Sequence, residues 1–211
     1  DKFVHFRAQS SYSMLESAIK ITDLISITKK CGMSAVCLSD RGNLFGSLEF
    51  SLAAIKAGIQ PICGAILNIS FSHKKLQQDF AEILIIAKDE VGYKNLLKLV
   101  SYSFIKNDRV VSNHITFEDL KECNDGLIIL SAYTKGIIGK LLLNGSYAEA
   151  IQKTKKLISI FGNRFYFEIM RHNLADEKQI EPEYLKIASE FSILLIATNQ
   201  VLFGDIKMHD A

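Results

Sequence analysis

Short apolar runs alternate with amphipathic stretches along almost the whole of this 211-residue chain. The apolar runs fall at residues 2–6, 35–39, 60–69, 82–87, 126–131, 164–169 and 193–198, and most are nearly continuous in Val, Ile, Leu or Phe. That is the pattern of strands buried on both faces of a parallel sheet. Between them the apolar positions recur at helical spacing. Ile21, Leu24 and Ile25 mark one face of a helix over 21–31, with Gly32 placed as its stop, and a second helix over 44–57 ends at Gly58 in the same way. Further helices are predicted over 93–105, 137–143, 147–161 and 183–191. A shorter one spans 116–122, with Thr116 as N-cap and Asp119 three residues on as a weak capping box.

Strand–helix alternation repeated this often predicts an α/β fold with a parallel sheet and helical crossovers. Seven strands could form an open doubly wound sheet or a closed (β/α) barrel, and periodicity leaves both open. No Gly-x-Gly-x-x-Gly or P-loop sequence follows any predicted strand, which removes the usual nucleotide-binding version. The polar segments 70–80 and 106–114 read as surface loops. With no internal repeat, low-complexity tract or Gly/Pro-rich linker, residues 1–211 are expected to form one domain.

Composition adds exclusions. Hydrophobic residues make up 48% and charged residues 23%, an ordinary globular mixture. The formal net charge of +2 is too small to argue for nucleic-acid binding by itself. The basic clusters at His73-Lys74-Lys75 and at 153–156 read as solvated surface. The four cysteines, Cys31, Cys37, Cys63 and Cys123, form no Cys-x-x-Cys pair and have no histidine at zinc-finger spacing, so reduced thiols of a cytoplasmic protein are expected. No apolar run reaches membrane-spanning length. The sequence starts without Met and stops at Lys207-Met208-His209-Asp210-Ala211 with no turn or helix-stop signal, so a piece of a longer protein is expected.

In a strand–helix barrel, chemistry gathers at the carboxyl ends of the strands. Those positions are Arg7, Gln9 and Glu16 after the first run, Asp40 and Arg41 after the second, Ile66 within the third, Tyr133 past the fifth, and Gln200 and Leu202 past the seventh. A metal phosphoesterase needs His, Asp, Glu or Cys at several of these points, to hold cations that activate water and steady the phosphate. Only Glu16 and Asp40 qualify, and both stand beside arginines. His5 and His172 read as a structural and a surface histidine, Tyr133 as a packing residue, and Asp40 before Gly42-Asn43 suits a turn.

The segment Phe3-Val4-His5-Phe6-Arg7-Ala8-Gln9-Ser10-Ser11-Tyr12-Ser13, with Leu38-Ser39-Asp40-Arg41-Gly42-Asn43-Leu44, resembles the opening of the PHP domain (polymerase and histidinol phosphatase) of bacterial replicative DNA polymerases. Gly42-Asn43-Leu44-Phe45-Gly46, Ala57-Gly58-Ile59-Gln60-Pro61-Ile62, Gly92-Tyr93-Lys94-Asn95-Leu96, Asp125-Gly126-Leu127-Ile128-Ile129-Leu130-Ser131 and Ala197-Thr198-Asn199 extend the resemblance over the chain. It implies a distorted seven-stranded (β/α) barrel. The family's ligand positions carry over mostly as losses. Its His-x-His falls on Arg7 and Gln9, its Asp on Glu16, its Asp-His on Asp40 and Arg41, its Glu on Ile66, its Cys on Tyr133, and its Asp-x-His on Gln200 and Leu202. Relatives also carry His at the position of Glu82.

The resemblance therefore implies a vestigial, metal-free domain with no catalytic residues of its own. Its expected role is to support a DNA polymerase and dock the proofreading exonuclease subunit. DNA, the holoenzyme and Mg would be met through the rest of the parent chain. Arg7 and Arg41 are expected to supply the charge that metals supply in relatives, by pairing with Glu16, Asp40 or Glu82. The competing expectation is a residual metal-dependent phosphoesterase, proofreading or pyrophosphate-cleaving, built on Glu16 and Asp40. A DNA-contacting module is a third, disfavoured by the near-neutral charge.

Overall fold

The computed structural model describes residues 3–71, 80–106 and 113–205. Most of the two polar segments expected as loops, the His73-Lys74-Lys75 cluster and residues 207–211 lie outside the described residues. The chain divides into two compact units, residues 1–66 with 198–211, and residues 67–197.

In the first unit β1 (Arg7–Ala8), β2 (Ala35–Arg41), the start of β3 (Gln60–Ser70) and β8 (Gln200–Val201) pair in the order β3-β2-β1-β8. Among the described residues the pairing there is parallel, with Ala8 opposite Leu38, Arg7 opposite Gln200, and Ala35 to Arg41 opposite Gln60 to Ile66. The crossovers are α1 (Ile21–Lys30) and α2 (Ser47–Ala57). Ile19, Ile21, Leu24, Val36, Leu38 and Phe50 form the heart of its core. Gly58 ends α2 in the left-handed region, at φ 74°. The Ile59 N–H returns to the Ala54 carbonyl at 2.9 Å, which satisfies a carbonyl the helix end leaves open.

In the second unit β4 (Phe80–Ala87), β5 (Leu127–Leu130), β6 (Phe165–Ile169) and β7 (Leu195–Ala197) extend from the end of β3 in the order β7-β6-β5-β4-β3. Around them run α3 (Glu90–Ile105), α4 (Phe117–Glu122), α5 (Ile137–Leu143), α6 (Tyr147–Phe161) and α7 (Ala175–Glu190). Thr116 caps α4 as expected: its hydroxyl accepts from the Asp119 N–H at 3.2 Å, and the Asp119 carboxylate accepts from the Thr116 N–H at 2.9 Å.

Four expectations need correction. The sheet is not all parallel, because β4 pairs antiparallel with β5, Leu84 opposite Leu130; a buried apolar run carries no direction. The first strand is Arg7–Ala8 rather than residues 2–6, so Arg7 lies on the strand and not after it. An eighth strand, β8, was too short to register as a run. Finally, α7 begins eight residues before the predicted start and contains Pro182. Its first turn is held by the Glu177 carboxylate, which accepts from the backbone N–H groups of His172 at 2.7 Å and Leu174 at 3.2 Å.

Candidate functional site

Eight of the nine site positions read from the sequence, together with Ser10, Ser13 and Ser17, belong to the first unit. The turn after β1 sets them. The Ser13 N–H bonds to the Ser10 carbonyl at 2.9 Å and the Glu16 N–H to the Ser13 carbonyl at 3.0 Å, so the chain folds back and aims its hydroxyls at the end of β2. There Asp40 is almost fully buried. One of its oxygens accepts from the Ser10 N–H and the Ser13 hydroxyl, each at 2.7 Å, and the other from the Ser10 hydroxyl at 2.8 Å. Burial pushes the Asp40 carboxyl above its ordinary value, against the bonds from Ser13 and Ser10, which pull it down. Ser13 also accepts from the Arg41 N–H at 3.0 Å, tying the turn to the strand.

The second carboxylate is treated differently. Arg41 Nε lies 2.5 Å from one Glu16 oxygen, with about a quarter to a third of each side chain exposed. The other Glu16 oxygen accepts from Gln9 Nε2 at 3.4 Å, and Gln9 Oε1 accepts from Gln200 Nε2 at 3.1 Å. Two amides, a carboxylate and a guanidinium thus form one chain, Gln200–Gln9–Glu16–Arg41. Gln9 is fully buried, and its backbone N–H bonds to the Val201 carbonyl at 3.1 Å. The Ser17 hydroxyl reaches both the Gln9 and Leu202 carbonyls, at 2.7 and 2.9 Å. Leu202 therefore contributes backbone where a ligand was sought. Ile66 is core, its carbonyl taking the Gly42 N–H at 2.9 Å. Arg7 is only 2% exposed, so it is not a surface charge.

Tyr133 lies in the second unit, as does Glu82, whose carboxylate is 3.9 Å from Lys135 Nζ. Ala132 and Tyr133 both sit at positive φ, 61° and 45°. The Tyr133 ring meets Tyr184 edge-on at 5.2 Å, and its hydroxyl is 3.4 Å from both the Glu177 carbonyl and a Glu181 carboxylate oxygen. Burial, then the nearby Glu181 and Glu177 carboxylates, push its phenol up to about 12. The strained turn is pinned from β6: Glu168 Oε2 accepts from the Ala132 N–H at 3.0 Å, the Glu168 N–H bonds to Ser131 Oγ at 2.9 Å, and Ser131 hydrogen-bonds Tyr184.

Sequence reasoning missed the residues that do the holding. Ser10 and Ser13 stood in plain view in the Ser10-Ser11-Tyr12-Ser13 run just after Arg7 and Gln9. Glu168 was signalled as a lone carboxylate in an apolar strand.

Metal-assisted hydrolysis needs hard donors converging on one point. Among the described residues no three His, Cys, Asp or Glu side chains come together in that way. Asp40 already accepts three hydrogen bonds, and Glu16 faces a fixed cation that would repel a divalent ion. This donor set does not fit a metal cluster.

Compared with known proteins, the chain matches the PHP domain over residues 5–172. It is 56% identical over 210 residues to the DNA polymerase III subunit alpha of Rickettsia bellii, covering 100% of this chain and 18% of that protein. The counterpart from Rickettsia felis is 55% identical over 210 residues, with 100% and 17% covered, and that from Borreliella burgdorferi 38% over 204 residues, with 94% and 18% covered. The chain thus spans under a fifth of the length of these curated relatives. Two solved structures share its fold. An amidohydrolase from Chromobacterium violaceum, with bound sulfate and no metal, has a TM-score of 0.56 at 13% identity, with 95% of this chain and 87% of that chain covered. A protein from Bifidobacterium adolescentis described as a metal-dependent phosphoesterase has a TM-score of 0.58 at 12% identity, with 94% and 87% covered. The α/β, PHP-like fold expected from the sequence is the fold they share.

Proposed function

The chain belongs to the PHP domain family, and on that premise we propose that it is a metal-free scaffold within a bacterial DNA polymerase III alpha subunit. All of residues 1–211 form the one domain. It supports the polymerase core and docks the proofreading exonuclease subunit. DNA synthesis, with its DNA and Mg, belongs to the remainder of a cytoplasmic polymerase chain and its holoenzyme. The observation that carries this reading is the Gln200–Gln9–Glu16–Arg41 chain. Where a hydrolase needs ligands, these residues satisfy one another. Arg41 supplies a permanent positive charge that needs no loading, and Gln9 and Gln200 supply oriented amides that neither ionise nor bind hard cations well.

The competing reading keeps the domain as a reduced phosphoesterase, since Glu16 and Asp40 persist and one structural neighbour is described as metal-dependent. Metal content separates the two. The purified polymerase chain is equilibrated with excess zinc or manganese, desalted, and assayed on the same sample for bound metal and phosphoesterase turnover. Near-zero stoichiometry in this domain and no turnover are expected. Stoichiometric metal, with turnover abolished by Glu16→Ala or Asp40→Ala, would sink the scaffold reading. The docking half is tested by pull-down: an exonuclease that binds equally well to a polymerase lacking residues 1–211 removes it.

A further inference from the structure

The helix α2 is apolar on both sides. Its inner face buries Ser47, Phe50 and Ala54. Its outer face, with Phe45 two residues before the helix, presents Phe45, Leu48, Leu52 and Ile55, each between 62% and 75% exposed. Positions 48, 52 and 55 follow the spacing of one helix stripe. A helix apolar all round belongs in an interior, and a contiguous exposed stripe on a chain of ordinary composition marks a contact surface.

A second observation falls beside it. The Tyr12 hydroxyl bonds to Glu49 of α2 at 3.3 Å, which sets the following turn against the helix. On that turn Met14 is 81% exposed and Leu15 fully exposed. Leu15 also sits at φ 67°, a left-handed conformation that costs any residue with a Cβ. Here a strained backbone carries a large apolar side chain into water, with no return among the described residues. Such strain persists where a contact repays it.

We propose that the outer face of α2, together with the Met14–Leu15 turn, is the surface on which the remainder of the parent polymerase chain packs. This rests on the reading that the chain is one domain of a longer polymerase. Three features select that occupant. The chain covers only 18% of its Rickettsia bellii relative, so a tethered partner is on hand at high effective concentration. An apolar stripe needs permanent cover, as in obligate interfaces, and an exchangeable subunit would leave it bare on leaving. Within α2 the charges are one Glu49 and one Lys56, which offers nucleic acid no cationic track.

The test uses the full-length polymerase chain, purified alone, with a photo-cross-linking phenylalanine analogue at Leu48 or Leu52. Both positions are exposed, so the larger ring does not disturb the core. Cross-links to residues beyond 211 of the same molecule are expected, at a yield independent of protein concentration and unaffected by added exonuclease. Links confined to residues 1–211, links to the exonuclease, concentration-dependent links to a second copy, or no links would each overturn the proposal. Metal content is read on the same sample. Stoichiometric metal with the expected cross-links defeats the metal-free scaffold and leaves this surface standing, whereas no metal and no cross-links does the reverse.

Discussion

The two units satisfy their candidate site positions in different ways. The first carries charge there and meets it residue by residue: Glu16 with Arg41 and Gln9, Asp40 with Ser10 and Ser13. The second, at Tyr133, packs an aromatic ring on another ring and pins the strained turn with Glu168. Solvent explains the difference. Glu16 and Arg41 are partly exposed, so their charges stay hydrated at little cost. Tyr133 and Tyr184 are almost fully buried, where an unpaired charge would be expensive and a phenol with a hydrogen-bond partner is not. Each position is thus satisfied by whatever its local hydration allows.

The sharpest way to break this contrast is at Asp40. Asp40→Ala strands the Ser10 N–H and two hydroxyls in a buried place, and should cost about 3 kcal/mol, read as a lower urea midpoint with an unchanged slope. A loss below about 1 kcal/mol would show that water replaces the carboxylate freely. In the second unit, Tyr184→Phe removes one buried hydroxyl from Ser131 while keeping the ring, for a loss of about 1 kcal/mol. At the half-exposed pair, Glu16→Gln should cost less than about 1 kcal/mol. A larger loss there would make the first unit's network as demanding as the second unit's core.

The carboxylates should also titrate in opposite directions. Burial raises Asp40 above its ordinary 3.8, so the folded chain holds that proton more tightly than the unfolded one. Its contribution to stability is greatest below 3.8 and falls as pH rises through the raised value. For Glu177 burial pushes upward too, but the bonds from His172 and the Leu174 N–H outweigh it and hold the carboxyl below 4.5. Its contribution is complete above 4.5 and is lost as pH falls through the depressed value. Carboxyl carbon shifts followed through an acid titration should place the Asp40 midpoint above 3.8 and the Glu177 midpoint below 4.5; a midpoint on the other side of either value would refute that assignment.

Most elements were legible because their signals are local. Helices α5 and α6 span residues 137–143 and 147–161, as predicted from the sequence. The Thr116 cap is a three-residue signal, and the structure contains it. What failed was not local. The direction of β4 depends on its partner across the sheet, and the pairing of β8 depends on Arg7, far away in sequence. The start of α7 before Pro182 rests on Glu177, whose carboxylate holds the first turn through bonds that no apolar spacing marks. At the candidate site the family resemblance located the positions. It did not show that Ser10 and Ser13 would hold Asp40 or that Gln200 would bond Gln9, because a hydrogen-bond partner 30 or 191 residues away leaves no periodic trace.

The Gln200–Gln9–Glu16–Arg41 chain also has a direction. Gln200 donates to Gln9, and Gln9 donates to the Glu16 carboxylate. Gln9 is therefore the member that both accepts and donates within the chain, as only an amide in the right flip does here. An ionised glutamate at position 9 would keep the bond from Gln200 and set two carboxylates against each other at Glu16. The amide acts as a keystone: position 9 cannot lose either half of its bonding without releasing one of its neighbours.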